Sequence, residues 1–200
     1  MRGNVFTRIV YADNSPADLA RLRDRFPGVE FVQPASNERP DGVHYGYSEI
    51  QLVDSALDAA GVSGRFVKAT GRLTFPTLPK MLRKLDAADV AVIDCRFNYR
   101  DRSVASATQV MVFDAAWWRN RLGGRLDWFR PALRRTHAED FIYAHVAPRR
   151  HDPGVRLRFP VNVEPVGHGA QWGEDYSSYR NKAVALARSA TRALAPAIWV

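Results

Sequence analysis

The stretch Val90-Ala91-Val92-Ile93-Asp94 limits most strongly how this chain folds. A short apolar run rich in β-branched residues, bounded by Asp89 and Arg96, suits a strand covered on both faces. Such strands lie at the centre of α/β sheets, so the rest of the chain must supply neighbouring strands and covering helices.

The flanking sequence keeps to that pattern. Residues 6–11 read as a strand. Ser15 predicts a helix N-cap with Pro16 at the first helical position, Leu19, Leu22 and Phe26 on one face, and Pro27-Gly28 as the stop. Residues 29–32 form a second expected strand, and residues 37–42 a polar loop. Ser48 and Gln51 predict a capping box, followed by Ile50, Val53 and Leu57 on one face and Gly61 as the end. Further strands are expected at residues 65–68 and 109–113, and helices at 77–85, 115–122, 126–133 and 138–146. Residues 155–163 read as extended, and a basic helix over 178–194 precedes Pro196-Ala197-Ile198-Trp199. No repeat, heptad or low-complexity tract interrupts the alternation, so residues 1–200 are expected to form one α/β domain with a mixed sheet flanked by helices.

Composition removes several function classes. No apolar run approaches the ~18 residues of a membrane span, and the first residues lack a signal-peptide core, so a cytoplasmic setting is expected. The single cysteine, Cys95, excludes an internal disulfide framework and reads as a small buried hydrophobe. Walker A, G-x-G-x-x-G, G-x-S-x-G and H-E-x-x-H sequences are all missing. The five histidines are scattered, which argues against zinc; His137 and His145 fall eight apart on one expected helix and read as partly exposed polar residues.

The charge is +8, and only four of the 29 cationic residues are lysines (Lys68, Lys80, Lys84 and Lys182). Arginine offers bidentate forks to phosphate and carboxylate, although a codon bias toward arginine produces the same excess. Charge alone selects no partner among nucleic acid, anionic membrane and sugar nucleotide. Arg134-Arg135 and Arg149-Arg150 motivate nucleic-acid binding, but no helix-turn-helix, zinc finger or aromatic RNP-type strand accompanies them. Trp117-Trp118 and Trp128-Phe129 read as packing aromatics or as a sugar platform.

The chemistry-bearing residues gather at expected strand ends and helix starts. Lys68-x-Thr70-Gly71-Arg72 follows a strand, where a glycine admits a ligand to the backbone and two cations face phosphate. Arg72 either binds a ligand or pairs with a carboxylate such as Glu49 or Asp94. Asp13 and Asp94 each end a strand, where α/β folds place functional groups. Asp94 and Arg96 form an ion pair or contact a ligand. Glu49 in a first helical turn is explained equally by the helix dipole and by a hydrogen bond to a sugar hydroxyl.

Gly46-Tyr47-Ser48-Glu49, Lys68-x-Thr70-Gly71-Arg72 and Asp94-x-Arg96-Phe97, in that order, resemble bacterial GT-A-type glycosyltransferases encoded among capsule and lipopolysaccharide genes. Ile9 to Ser15 with its Asp13-Asn14-Ser15 ending, Glu139 with Phe141 and Tyr143, and the loop from Gly167 to Tyr176 are similar to features of the same group. The resemblance implies a GT-A-like, Rossmann-related fold. The chain begins five residues before Phe6, so the group's leading strand and helix are expected to be missing. Transfer of a sugar from a nucleotide-sugar donor to a cell-surface polysaccharide or glycolipid acceptor is the implied activity. Glu139 would be the general base of an inverting reaction, with Asp94 the second catalytic carboxylate. Asp13, Asn14, Glu49, Lys68, Thr70, Gly71, Arg72 and Arg96 would hold the donor. The Asp-x-Asp metal motif of many such enzymes is replaced by Thr70-Gly71-Arg72, so no metal cofactor is expected. A lipid-linked acceptor would bring the basic C-terminal helix against anionic membrane, or that helix is docked with a solvated basic face. A catalytically inactive relative with a scaffold role, or a nucleic-acid-binding protein, are the alternatives.

Overall fold

A computed structural model describes residues 5–34, 38–98, 103–129, 137–168, 176 and 178–194. Along the chain run β1 (Val10–Ala12), α1 (Ala20–Arg25), β2 (Glu30–Val32), α2 (Gly46–Ala59), β3 (Arg65–Ala69), α3 (Leu78–Leu82), β4 (Ala91–Asn98) and β5 (Ser103–Asp114). They are followed by α4 (Ala115–Arg121), α5 (Ala138–Val146), β6 (Val155–Arg156) and α6 (Tyr179–Leu194). Arg134-Arg135, most of the loop from Gly167 to Tyr176 and the segment Pro196-Ala197-Ile198-Trp199 lie outside the described residues. The described residues fall into two compact units, drawn from Met1–Phe66 with Asp114–Phe141 and from Val67–Phe113 with Ile142–Val200.

In the first unit β1 and β2 pair in parallel, with Tyr11 opposite Phe31. The helix between them begins later than expected. Asp13 Oδ1 accepts the Ser15 N–H at 2.8 Å and draws Ser15 into a turn, while Asp18 Oδ1 takes the Ala20 N–H at 2.9 Å. Asp18 thus closes a turn that leads into α1, whose N-cap is Leu19 without a side-chain cap bond, and Ser15 does not cap the helix. On α2, Ile50, Val53 and Leu57 are buried, as the spacing predicts. Gly61, at φ 55°, ends the helix: its N–H donates to the Asp58 carbonyl and that of Val62 to the Leu57 carbonyl. This pairing satisfies two orphan carbonyls and needs a left-handed residue, which glycine supplies without strain. Asp114 Oδ1 caps α4 by accepting the Ala116 and Trp117 N–H groups. Trp118 and Phe129 are fully covered, Trp118 Nε1 donating to Asp54 Oδ1 at 2.6 Å, so the indole is packed with its polar atom satisfied.

The four-stranded sheet has the order β3-β5-β4-β6. β4 and β5 are antiparallel while β4 and β6 are parallel, so the sheet is mixed. The apolar run at Val90–Asp94 lies in or beside β4, between two strands, and Ala91, Val92 and Ile93 are completely buried. Leu78 and Met81 of α3 pack with Val92, Val110, Val112, Phe159 and Val163 to form the core of the second unit. The extended pattern at 155–163 yields only two residues of strand. Beyond β6 the Phe159 N–H donates to the Asp94 carboxylate at 3.3 Å, which takes that group out of the sheet ladder.

α6 begins and ends where the sequence places it, but its faces are reversed. Arg188 and Arg192 point into the second unit, while Leu186 and Leu194 are exposed. The reading of a solvated basic face on a helix docked through its apolar side is therefore corrected. The physical reason is a buried carboxylate: Asp94 requires cationic donors, and α6 supplies them.

Candidate functional site

Two charged clusters contain most of the residues singled out in the sequence. The first, in the first unit, forms where α2 and α5 begin. Gly46 opens α2 against the start of α5 so closely that a Cβ there would lie 2.5 Å from the Ala138 nitrogen. The expected Ser48/Gln51 capping box is absent from this helix start. The N-cap of α2 is Tyr45, three residues earlier, and Ser48 is buried within the first turn. His44 instead satisfies the helix, its Nδ1 accepting the Gly46 N–H at 3.1 Å. That acceptor role requires neutral imidazole with the proton on Nε2.

At the start of α5, Asp140 Oδ2 accepts the His137 N–H at 3.2 Å. The His44 and His137 rings meet edge-on with centroids 4.2 Å apart, and the Tyr45 ring lies 3.8 Å from His44. Glu49 and Glu139 occupy the first turns of their helices and are half-buried. Burial pulls the His44 pKa below its ordinary value, helped by His137 and Arg39 and opposed by Asp140 and Glu49. The Tyr45 phenol is pushed up by burial first, then by the charges of Glu139 and Glu49. The cluster thus keeps an imidazole neutral and a phenol protonated beside two carboxylates, the groups needed to accept and return a proton. Asp13 and Asn14 lie at the end of β1, and the Asp13 carboxylate is engaged with Ser15 as described.

The second cluster, in the second unit, surrounds Asp94, which has no solvent exposure. Arg192 Nη2 reaches both carboxylate oxygens at 2.7 and 2.6 Å, Arg96 Nε reaches Oδ2 at 3.1 Å, and the Phe159 N–H completes the set. Arg96 Nη1 and Arg188 Nη1 also contact Glu164 at 3.5 and 3.2 Å. The guanidinium of Arg158 is shifted below its ordinary value by burial and by Arg192, with Asp94 opposing. Three guanidiniums, those of Arg96, Arg188 and Arg192, thereby share two carboxylates. Of the alternatives for Asp94 and Arg96, the ion pair is the one this geometry contains. The neighbouring Cys95 thiol is pushed up to about 12 by burial and the Asp94 charge, which leaves it a packed hydrophobe.

Lys68 at the end of β3 donates to the Thr108 carbonyl at 2.6 Å and to Thr70 Oγ1 at 3.4 Å. Thr108 lies where β5 shifts register against β4, between the pairs formed by Val92 and Asp94. Such irregularities release carbonyls from the ladder. Gly71 and Arg72 follow in an exposed turn.

Asp94 and Arg96 are brought together in the second unit, which also holds Lys68, Thr70, Gly71 and Arg72; the first holds Asp13, Asn14, Glu49 and Glu139. Sequence reasoning missed His44, Tyr45 and His137 as one group, although each histidine lies within two residues of a helix start. It also missed Arg158, Glu164, Arg188 and Arg192 as surroundings of Asp94, for which no local signal exists. Among the described residues no group of three or more His, Cys, Asp or Glu side chains is placed to hold a metal ion. No helix among them is long and apolar enough to cross a membrane. Comparison with protein-family models, curated proteins and solved structures returned no match to this chain.

Proposed function

We propose that this chain is a glycosyltransferase that moves a sugar from a nucleotide-sugar donor to a cell-surface polysaccharide or glycolipid acceptor. The order of the Glu49, Lys68–Arg72, Asp94–Arg96 and Glu139 motifs supports a GT-A-like reading of the mixed α/β fold. The observation that carries the chemistry is the close meeting of the two helix starts at Gly46 and Ala138, which brings His44 against His137 and places the charges of Glu49 and Glu139 on the Tyr45 phenol. In this reading Glu139 takes the proton of the acceptor hydroxyl as the glycosyl bond breaks, and Glu49 orients a sugar hydroxyl. The sequence resemblance, rather than any observed geometry, assigns Lys68 and Arg72 to the leaving diphosphate, a task preorganised cations perform without a metal. Asp94 acts by holding Arg96 in place.

Release of nucleoside diphosphate from a panel of nucleotide sugars, with glycan and lipid-linked acceptors and with EDTA present, tests the proposal. Glu139→Gln should lower turnover at least about tenfold with donor binding intact, and Lys68→Met should weaken donor binding. Near-normal turnover in Glu139→Gln removes Glu139 from the reaction. Activity that disappears in EDTA and returns with manganese removes the metal-free mechanism.

A further inference from the structure

α6 is amphipathic with the sense opposite to that of a helix docked on a core. Its inward residues are polar: Arg188 pairs with Glu164, Arg192 clamps Asp94, and Asn162 Nδ2 donates to the Ala185 carbonyl and Ser189 Oγ, both at 3.1 Å. No residue of α6 is buried. On the outward side Tyr179, Ala183, Leu186, Ala190 and Leu194 recur at intervals of three and four and form one stripe. Tyr179 is 91% exposed, Leu186 73% and Leu194 86%. Rotating the helix to hide that stripe would strip Asp94, which has no solvent exposure, of Arg192. The fold therefore holds the apolar side outward.

The charges around the stripe select what covers it. α6 carries Arg180, Lys182, Arg188 and Arg192 and no acidic residue. With Arg188 and Arg192 engaged inward, the exposed Arg180 and Lys182 are the charges flanking the apolar stripe, and Lys182 Nζ lies 5.6 Å from the Tyr179 ring centroid. A tyrosine and leucines between cations, on a helix unable to span a bilayer, have the chemistry of a helix lying in the interface of an anionic membrane. A second copy of α6 would bring further cations and no carboxylate to balance them, whereas anionic headgroups supply the opposite charge. We infer that α6 docks this protein on anionic lipid, with Leu186 and Leu194 entering the acyl boundary and Arg180 and Lys182 at the headgroups. This inference does not depend on the glycosyltransferase reading.

Co-sedimentation of the full chain with phosphatidylcholine vesicles, with and without about 30% phosphatidylglycerol, tests it. Binding is expected on the anionic vesicles and is weakened by salt. Leu186→Glu with Leu194→Glu should lower it roughly tenfold or more, and Arg180→Gln with Lys182→Gln should abolish the preference for anionic lipid. Because both leucines are exposed, the melting temperature should stay unchanged. As a second readout, Leu186→Cys carrying an environment-sensitive fluorophore should shift to the blue on anionic vesicles, the buried Cys95 remaining unlabelled. No binding to anionic vesicles, binding indifferent to the leucine substitutions, or a lipid-independent dimer that hides Leu186 would overturn the inference.

Discussion

The paired helix starts of α2 and α5 and the arginine network around Asp94 both concentrate charge, but under different solvent conditions. Around Asp94 burial is complete, and both carboxylate oxygens are engaged by donors from three separate stretches of chain. An ion pair of this kind ties elements together, and its charge is held by protein donors. At the helix starts, Glu49 and Glu139 remain half-exposed beside groups whose protonation burial has shifted. Burial with saturated donors makes a carboxylate a fastener, whereas partial burial beside tuned acids leaves it suited to proton transfer. The two carboxylates that the sequence offers for catalysis, Asp94 and Glu139, fall on opposite sides of that distinction.

The comparison can be broken most forcefully at Asp94. Asp94→Asn leaves Arg192 buried without its counter-charge and should cost about 3–5 kcal/mol, measured by denaturant unfolding. Glu139→Gln should change stability far less in the same experiment; equal losses would erase the contrast. Gly46→Val drives a side chain into the Ala138 backbone and should cost about 1–3 kcal/mol, because backbone cannot move aside as a flexible side-chain end does. A smaller effect sharpens the picture at His44. Its folded-state pKa lies below the ordinary 6.5, so as pH falls through that value the unfolded chain takes up the proton first. Stability is therefore present above 6.5 and lost below it, down to the depressed folded pKa. His44→Asn keeps an acceptor for the Gly46 N–H and should flatten that part of the profile, as followed by unfolding at a series of pH values.

How much of this was legible in the sequence depended on the range of the interaction responsible. The helix of α5 has the expected bounds, the buried face of α2 follows its spacing, and the Gly61 stop is local chemistry. The apolar run around Ile93 likewise announced the strand that lies between two others. The cap signal at Ser15 lost to its neighbour Asp13, and the one at Ser48 failed where a distant partner competed. Ser48 lost its capping role because Gly46, without a Cβ, lets α2 start earlier against Ala138, and His44 is there to accept an N–H. The sense of α6 was illegible for the same reason. Its periodicity shows two faces, but which one turns inward is decided by Asp94, 98 residues away from Arg192. Of the candidate site, the residue types at strand and helix ends were readable; the grouping of His44, Tyr45 and His137 required the packing of two helix starts.

The most direct test of the glycosyltransferase account is a thermal-shift panel of UDP, GDP, CMP and dTDP with their common sugar conjugates, in manganese or in EDTA. Ligand at ~100 times its dissociation constant should stabilise the protein by about 2.7 kcal/mol. The account predicts a shift with one nucleotide class that survives EDTA and is lost in Lys68→Met. No shift with any nucleotide, while the protein unfolds cooperatively, would contradict it.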